Sequence, residues 1–388
     1  MSTKDIARKV AIVGIGSSDY HTLYKNPDPT RTREEMAIDV MRQALDDCGL
    51  KRSDIDGLVT GGTSGYEDFG YRSGLTDVRY LADYPVAGRM CASALFSAAM
   101  AVHNGVSDYC FLFNSVAFKS LAMKFDMAGQ YGGDAASTGP LYNEVYGMAS
   151  PGALYALAFT RYQAMYGGTE ADLGEIAVQI RNHGALNPQA IFQKTHTIED
   201  YLKSRYIAKP LRLLDYCLVN DGCAGYIITS AERAKDLKQK PVYLASFAQR
   251  VTLRPQYVDP DFWVEACGVL KKDLFEPAGL TLKDIQSLSV YDNFSLSVLW
   301  GLEGFGFAPK GQGLQWLKNG GISLGGKLPT NTSGGMLAEA YLQGWNNIVE
   351  ITKQLRGTAD KRQIKDVKNI LYYGLSAVPN GLIFSNEA

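Results

Sequence analysis

Residues 48–62, CGLKRSDIDGLVTGG, are echoed by residues 278–292, AGLTLKDIQSLSVYD. The two stretches pair Gly49 with Gly279, Leu50 with Leu280, Asp54 with Asp284, Ile55 with Ile285 and Leu58 with Leu288, all in one register. Each follows an amphipathic helical pattern, EEMAIDVMRQALDDC before the first and DFWVEACGVLKKDLFEP before the second. A repeat this long is no solenoid unit and marks two similar α/β halves.

The pattern extends outward from both copies. KVAIVGIG (9–16) reads as a strand buried on both faces, Thr32 and Glu35 have the spacing of a capping box, and Gly49 can end the helix between them. The strand–helix–strand rhythm implies parallel strands with helices on the sheet faces. The tails correspond too: SDYCFLF (107–113) and KNILYYG (368–374) are strands that follow small-residue helices. The halves are therefore expected at 1–240 and 241–388, with an inserted loop or lid region at about 115–210. That insertion is too long for a bare connection. It carries Tyr131, Tyr142, Tyr146, Tyr155, Tyr162 and Tyr166, suited equally to an aromatic core of its own or to a wall around a bulky acyl group.

Composition excludes several function classes. A 388-residue chain with 46% hydrophobic residues and a formal net charge of -1 has the balance of an ordinary globular protein and no excess of positive charge to hold a nucleic acid. No apolar run is long enough to span a bilayer, and the first strand lacks a small-residue cleavage site, so a cytoplasmic location is expected. The six cysteines are scattered, with no CxxC and no zinc spacing among them or the four histidines, so no metal site is expected. GIGSSDY (14–20) fails as a dinucleotide fingerprint because Asp19 replaces the third glycine, and GISLGGKL (321–328) fails as a phosphate loop because Leu328 stands where Ser or Thr is needed.

Chemistry is left to cysteine, tyrosine and backbone amides. Cys91 heads CASALFSAAMAVHN, a helix without a polar face that must be buried, and a thiol at a helix N-terminus is expected to ionise more easily. The competing reading is a small buried hydrophobe. In the second half LPTNTSGGMLAEAYLQG opens with a Ser-Gly-Gly turn expected to start a helix, placing Tyr341 within its first two turns. Tyr291, Asp292 and Asn293 fall at the carboxyl end of a parallel strand, where α/β folds place ligands.

Taken together, MCAS, HGALNP, KPLRLLDYCLVNDG, YDNF, APKGQG, LPTNTSGG and YGLSAVPNGLIF resemble the thiolase superfamily, in its sterol-carrier and lipid-transfer branch. The resemblance implies a five-layered αβαβα fold from two pseudo-duplicated halves, a homodimer, acyl-CoA thioesters and coenzyme A as substrates, and no covalently bound cofactor. It puts Cys91 at the nucleophile position. It also exposes departures: Tyr341 replaces the activating histidine, Tyr291 replaces an asparagine that holds an oxyanion water, and Ser376 or a close neighbour stands for the second cysteine. Asn293, Gly334, Gly335, Ser376 and His183 complete the expected oxyanion and substrate-binding set, although His183 also suits loop stabilisation. Lys194, Lys203 and Arg205 are candidates for the nucleotide phosphates. Such tyrosines are similar to those of thiolase-like aldolases of steroid side-chain degradation and of the thiolase acting on benzoylsuccinyl-CoA, both of which work with a small zinc-ribbon and OB-fold partner protein. The leading expectation is thiolysis of a bulky, perhaps aromatic, β-ketoacyl-CoA through an S-acyl Cys91. Its alternatives are retro-aldol cleavage of a β-hydroxyacyl-CoA with tyrosine as acid and base, and a non-catalytic acyl-CoA-binding subunit.

Overall fold

A computed structural model describes residues 3–61, 65–84, 87–122, 150–250, 261–375 and 378–388. In chain order the main elements are β1 (Val10–Ser17), α1 (Arg33–Cys48), β2 (Gly57–Thr60), β3 (Tyr80–Asp83), α2 (Ala87–His103), β4 (Tyr109–Ala117), α3 (Pro151–Tyr166) and α4 (Glu170–Gly184). β5 (Asp221–Ser230), β6 (Val242–Gln249), α5 (Phe262–Ala278), β7 (Ser287–Val290), α6 (Ser295–Phe305), α7 (Trp345–Arg356), β8 (Asn369–Gly374) and β9 (Asn380–Ser385) follow.

The repeat folds as two matching units. α1 ends at Gly49 (φ 80°) and α5 at Gly279 (φ 66°), a left-handed closure that glycine adopts without strain. Each is followed by a one-turn 3₁₀ segment held by an aspartate: Asp54 accepts the Lys51 amide and Asp284 the Thr281 amide, both at 2.7 Å. β2 and β7 come next. The capping box also forms, Thr32 Oγ1 accepting the Glu35 amide at 3.2 Å and Glu35 accepting the Thr32 amide at 2.9 Å. Thr32→Ala is expected to cost about 1 kcal/mol, readable as a lower urea midpoint at unchanged slope.

The strands form one sheet in the order β3-β2-β4-β5-β1-β6-β9-β8-β7. Its two ends mirror each other: β2 and β4 are parallel, as are β7 and β8, while β5 and β9 run against their neighbours. The purely parallel arrangement expected from the strand–helix–strand rhythm is thus corrected to a mixed sheet. β1 and β2 do run the same way, but β4 and β5 lie between them, and β5 runs against both β4 and β1. The halves meet where β1 and β6 pair antiparallel through Ala11↔Tyr243 and Ile12↔Val242.

Alternation along the strands builds the layers. Ile12, Leu112, Tyr226, Leu244 and Tyr372 face a central core with α2 and α7, whereas Val13, Phe111 and Ile227 face α1 on one outer side. Leu288, Leu371 and Ile383 face α5 and α6 on the other. The result is helix, sheet, helix, sheet, helix, the five layers expected, the two sheet layers being parts of one continuous sheet joined through β1 and β6.

Within the insertion, Tyr131, Tyr142 and Tyr146 lie outside the described residues. Tyr155 stacks on Phe294 with centroids 4.0 Å apart, and Tyr162 donates to Glu303 at 2.6 Å. Both, with Tyr166 packed alongside, join the second half's outer core.

Candidate active site

Tyr291 follows the last residue of β7, its amide donating to the Tyr373 carbonyl at 2.9 Å. The equivalent bond in the first half runs from the Gly61 amide to Phe113, also at 2.9 Å. Tyr341 arrives differently from expectation. After Gly334 (φ 100°) and Gly335 (φ 51°), residues Gly335–Glu339 make a single wide helical turn, Ala340 is extended, and α7 begins only at Trp345. The expected continuous helix is broken because neighbouring segments take its hydrogen bonds. The carbonyls of Met336, Ala338 and Glu339 accept from the amides of Leu218, Phe192 and Ile191 at 3.0–3.1 Å, and the Tyr341 amide donates to Asn220 Oδ1 at 2.7 Å. Asn114, on β4, holds the Leu342 carbonyl at 3.2 Å. Local helix propensity in AEAYL yields to these tertiary bonds.

The break brings the two tyrosines together. Tyr291 Oη and Tyr341 Oη lie 3.1 Å apart, hydrogen-bonded, with both residues buried. Burial pushes the Tyr291 hydroxyl well above the ordinary tyrosine range, against the opposing pull of its bond to Tyr341. A free phenolate at Tyr291 is therefore unfavourable near neutrality.

Cys91 belongs to the same central core and is 1% exposed. It sits a full turn inside α2, and burial pushes its thiol up to about 12, although the hydroxyls of Tyr372 and Tyr226 beside it pull the other way. The easing of ionisation expected from the helix end is thus opposed by desolvation. Tyr226 stacks on Trp345 at 5.4 Å, and the Tyr226 hydroxyl and the Trp345 indole N–H are buried without another hydrogen-bond partner of normal geometry.

The remaining candidates are dispersed in role. Asn293 donates to Tyr155 Oη at 3.1 Å and accepts from Ser297 Oγ at 2.9 Å. The amides expected as oxyanion donors are engaged internally, Gly334 with the Asn331 carbonyl at 2.9 Å and Gly335 with Ser333 Oγ at 3.4 Å. His183 is buried, donating from Nδ1 to the Thr330 carbonyl at 3.0 Å and accepting the Leu324 amide on Nε2 at 2.9 Å, so both ring nitrogens serve the loop. Ser376 lies outside the described residues. Lys194, Lys203 and Arg205 are exposed. Sequence reasoning missed Asn220, Asn114, Tyr226 and Tyr372. Only the alternation of tyrosine with aliphatic residues in YIITS and ILYYG could have flagged the last two. Among the described residues no group of three His, Cys, Asp or Glu side chains could hold a metal ion, and no helix is long and apolar enough to cross a membrane.

A mixed sheet between helical layers, with a second-half strand end tied to the segment that follows a Gly-Gly turn, is the arrangement of a thiolase-like fold. Residues 251–381 match the family described as thiolase C-terminal domain-like. The chain is 34% identical to the 17-hydroxy-3-oxo-4-pregnene-20-carboxyl-CoA lyase of Mycobacterium tuberculosis, over 97% of this chain and 99% of that one. It is 32% identical to the steroid side-chain-cleaving aldolase of Thermomonospora curvata, covering 97% and 98% respectively. A solved Ltp2-ChsH2(DUF35) aldolase superposes with a TM-score of 0.88 at 31% identity, covering 99% of each chain. Benzoylsuccinyl-CoA thiolase subunit BbsB of Thauera aromatica matches at 28%, over 94% of both chains. The chain belongs to the thiolase superfamily, in its sterol-carrier-type branch.

Proposed function

We propose that this chain catalyses retro-aldol cleavage of a β-hydroxyacyl-CoA carrying a bulky, steroid-like acyl group. The observation that carries the reading is the hydrogen-bonded pair of buried hydroxyls, Tyr291 and Tyr341, at 3.1 Å. The names of the two relatives above 30% identity point the same way.

The chemistry follows from the pair. As the bond between the α and β carbons breaks, the substrate hydroxyl gives its proton to the nearer tyrosine oxygen and its C–O bond becomes a carbonyl. The bonding electrons pass to the α carbon and thioester as an enolate. The first tyrosine hands its own proton across the 3.1 Å bond, and the second delivers one to the α carbon. One ketone or aldehyde and one acyl-CoA leave, and both tyrosines end neutral. Nothing in this sequence uses a nucleophile.

Thiolysis is the second reading, favoured by the retention of Cys91 with two hydroxyls beside its thiol. Against it stands the buried, weakly acidic state of that thiol, since thiolate is the attacking species. A homodimer and a small partner protein, such as the name of the solved Ltp2-ChsH2(DUF35) aldolase couples to it, belong to the same proposal. The test is to incubate the chain, with and without its co-purifying protein, with steroid and aromatic β-hydroxyacyl-CoAs and to follow ketone and acyl-CoA release. Cys91→Ala is expected to keep turnover within about threefold of wild type, because the thiol forms no bond in the reaction. Loss of turnover with an acyl adduct on wild-type Cys91 would restore thiolysis.

A further inference from the structure

Two buried carboxylates that the reaction does not touch grip the turn delivering Tyr341. Asp292, the chain neighbour of Tyr291, accepts the Met336 amide on Oδ1 at 2.9 Å. Its carboxylate lies against Gly335, where a Cβ would come within 2.4 Å of Oδ2, so only glycine fits. Oδ2 itself is buried without a partner of normal geometry. Glu339 closes the other end of the turn. It accepts from Ser333 Oγ at 2.6 Å and Asn346 Nδ2 at 2.8 Å on one oxygen, and from Asn187 Nδ2 at 3.1 Å on the other.

We propose that Asp292 and Glu339 are positioning residues for the tyrosine pair: one ties the turn to the strand end that carries Tyr291, the other fixes the exit from which Tyr341 projects. This rests on the retro-aldol reading for its kinetic consequence but not for its geometry. The hydrogen bond from the Met336 amide to the Asp292 side chain links the residue next to Tyr291 with the opposing segment, so the length of that side chain bears on the separation of the two hydroxyls. Burial pushes both carboxyl groups up to about 7, helped at Glu339 by the neighbouring Glu350. A neutral side chain of equal length that keeps an accepting oxygen can still receive the Met336 amide, and that oxygen is what counts.

The test compares Asp292→Ser, too short to reach Met336, with Asp292→Asn, which keeps an accepting oxygen. In the serine variant kcat is expected to fall about 100-fold, the scale of an ångström misplacement, with KM little changed. The asparagine variant is expected to recover most of the loss. Crystal structures supply a readout that does not depend on activity: the serine variant should separate the two tyrosine oxygens beyond hydrogen-bond reach. An intact tyrosine bond in that variant, or an unchanged kcat, overturns the proposal. Should the serine variant fail to fold, Glu339→Gln decides. Its amide nitrogen faces a donor whichever way it turns, kcat is expected to fall about tenfold, the value of one lost hydrogen bond, and wild-type kcat overturns the proposal. If the wild type cleaves no β-hydroxyacyl-CoA, the functional reading falls while the crystallographic comparison still judges the clamp.

Discussion

Tyr341→Phe is expected to lower kcat for retro-aldol cleavage by about 10²–10⁴-fold, the range of a lost general acid–base group. The substitution removes a single oxygen from a packed site and leaves the Tyr341 amide bound to Asn220, so substrate affinity and folding should barely change. Tyr291→Phe should behave alike. Because each hydroxyl works only through the other, the double variant should be little worse than either single one, as expected for groups acting as a unit. Product release followed by chromatography, with acyl-CoA binding measured separately, checks all three. Multiplying defects, or near-wild-type activity in Tyr341→Phe, would remove the proton relay.

Arg362→Met is expected to be the most damaging single change to stability, at about 3–5 kcal/mol. Arg362 and Glu350 form an ion pair at 3.1 Å with side chains 3% and 7% exposed. Glu350 also accepts from Thr332 Oγ1 at 2.8 Å and Gln354 Nε2 at 3.1 Å, so its charge stays buried once the guanidinium is gone. Adding Glu350→Gln should restore part of the loss, since the double variant leaves no uncompensated charge. Urea denaturation of the four proteins closes the cycle. A double variant as weak as the sum of its parts would show that the two residues act independently.

How much of this was legible in the sequence depended on whether a feature is local. The repeat was readable because the helix-ending glycine, the aspartate of the 3₁₀ turn and the strand after it are fixed by short-range hydrogen bonds, which both copies keep at the same spacing. Tyr291 could be placed at a strand end for the same reason. Tyr341 was found by resemblance, yet its backbone was misread, because the bonds that break the helix come from Asn220 and the insertion, far away in sequence. The burial of the Cys91 helix was legible from its lack of a polar face, whereas the hydroxyls of Tyr226 and Tyr372 beside the thiol come from distant strands and were not. Asn114 and Asn220 carried no signal, since asparagine in a strand or turn ordinarily serves its own neighbourhood.

The first-half counterpart of Tyr291 is Gly61, bound to its neighbouring strand in the same way. The space a side chain would need there is taken by Asn114, whose Oδ1 lies 2.4 Å from where a Cβ would stand. Asn114 in turn reaches across the molecule to the carbonyl of Leu342, next to Tyr341. The two strand ends of this duplicated fold have thus divided their labour. One copy carries the hydroxyl paired with Tyr341, and in the other the side-chain space belongs to an asparagine that braces the segment beside Tyr341.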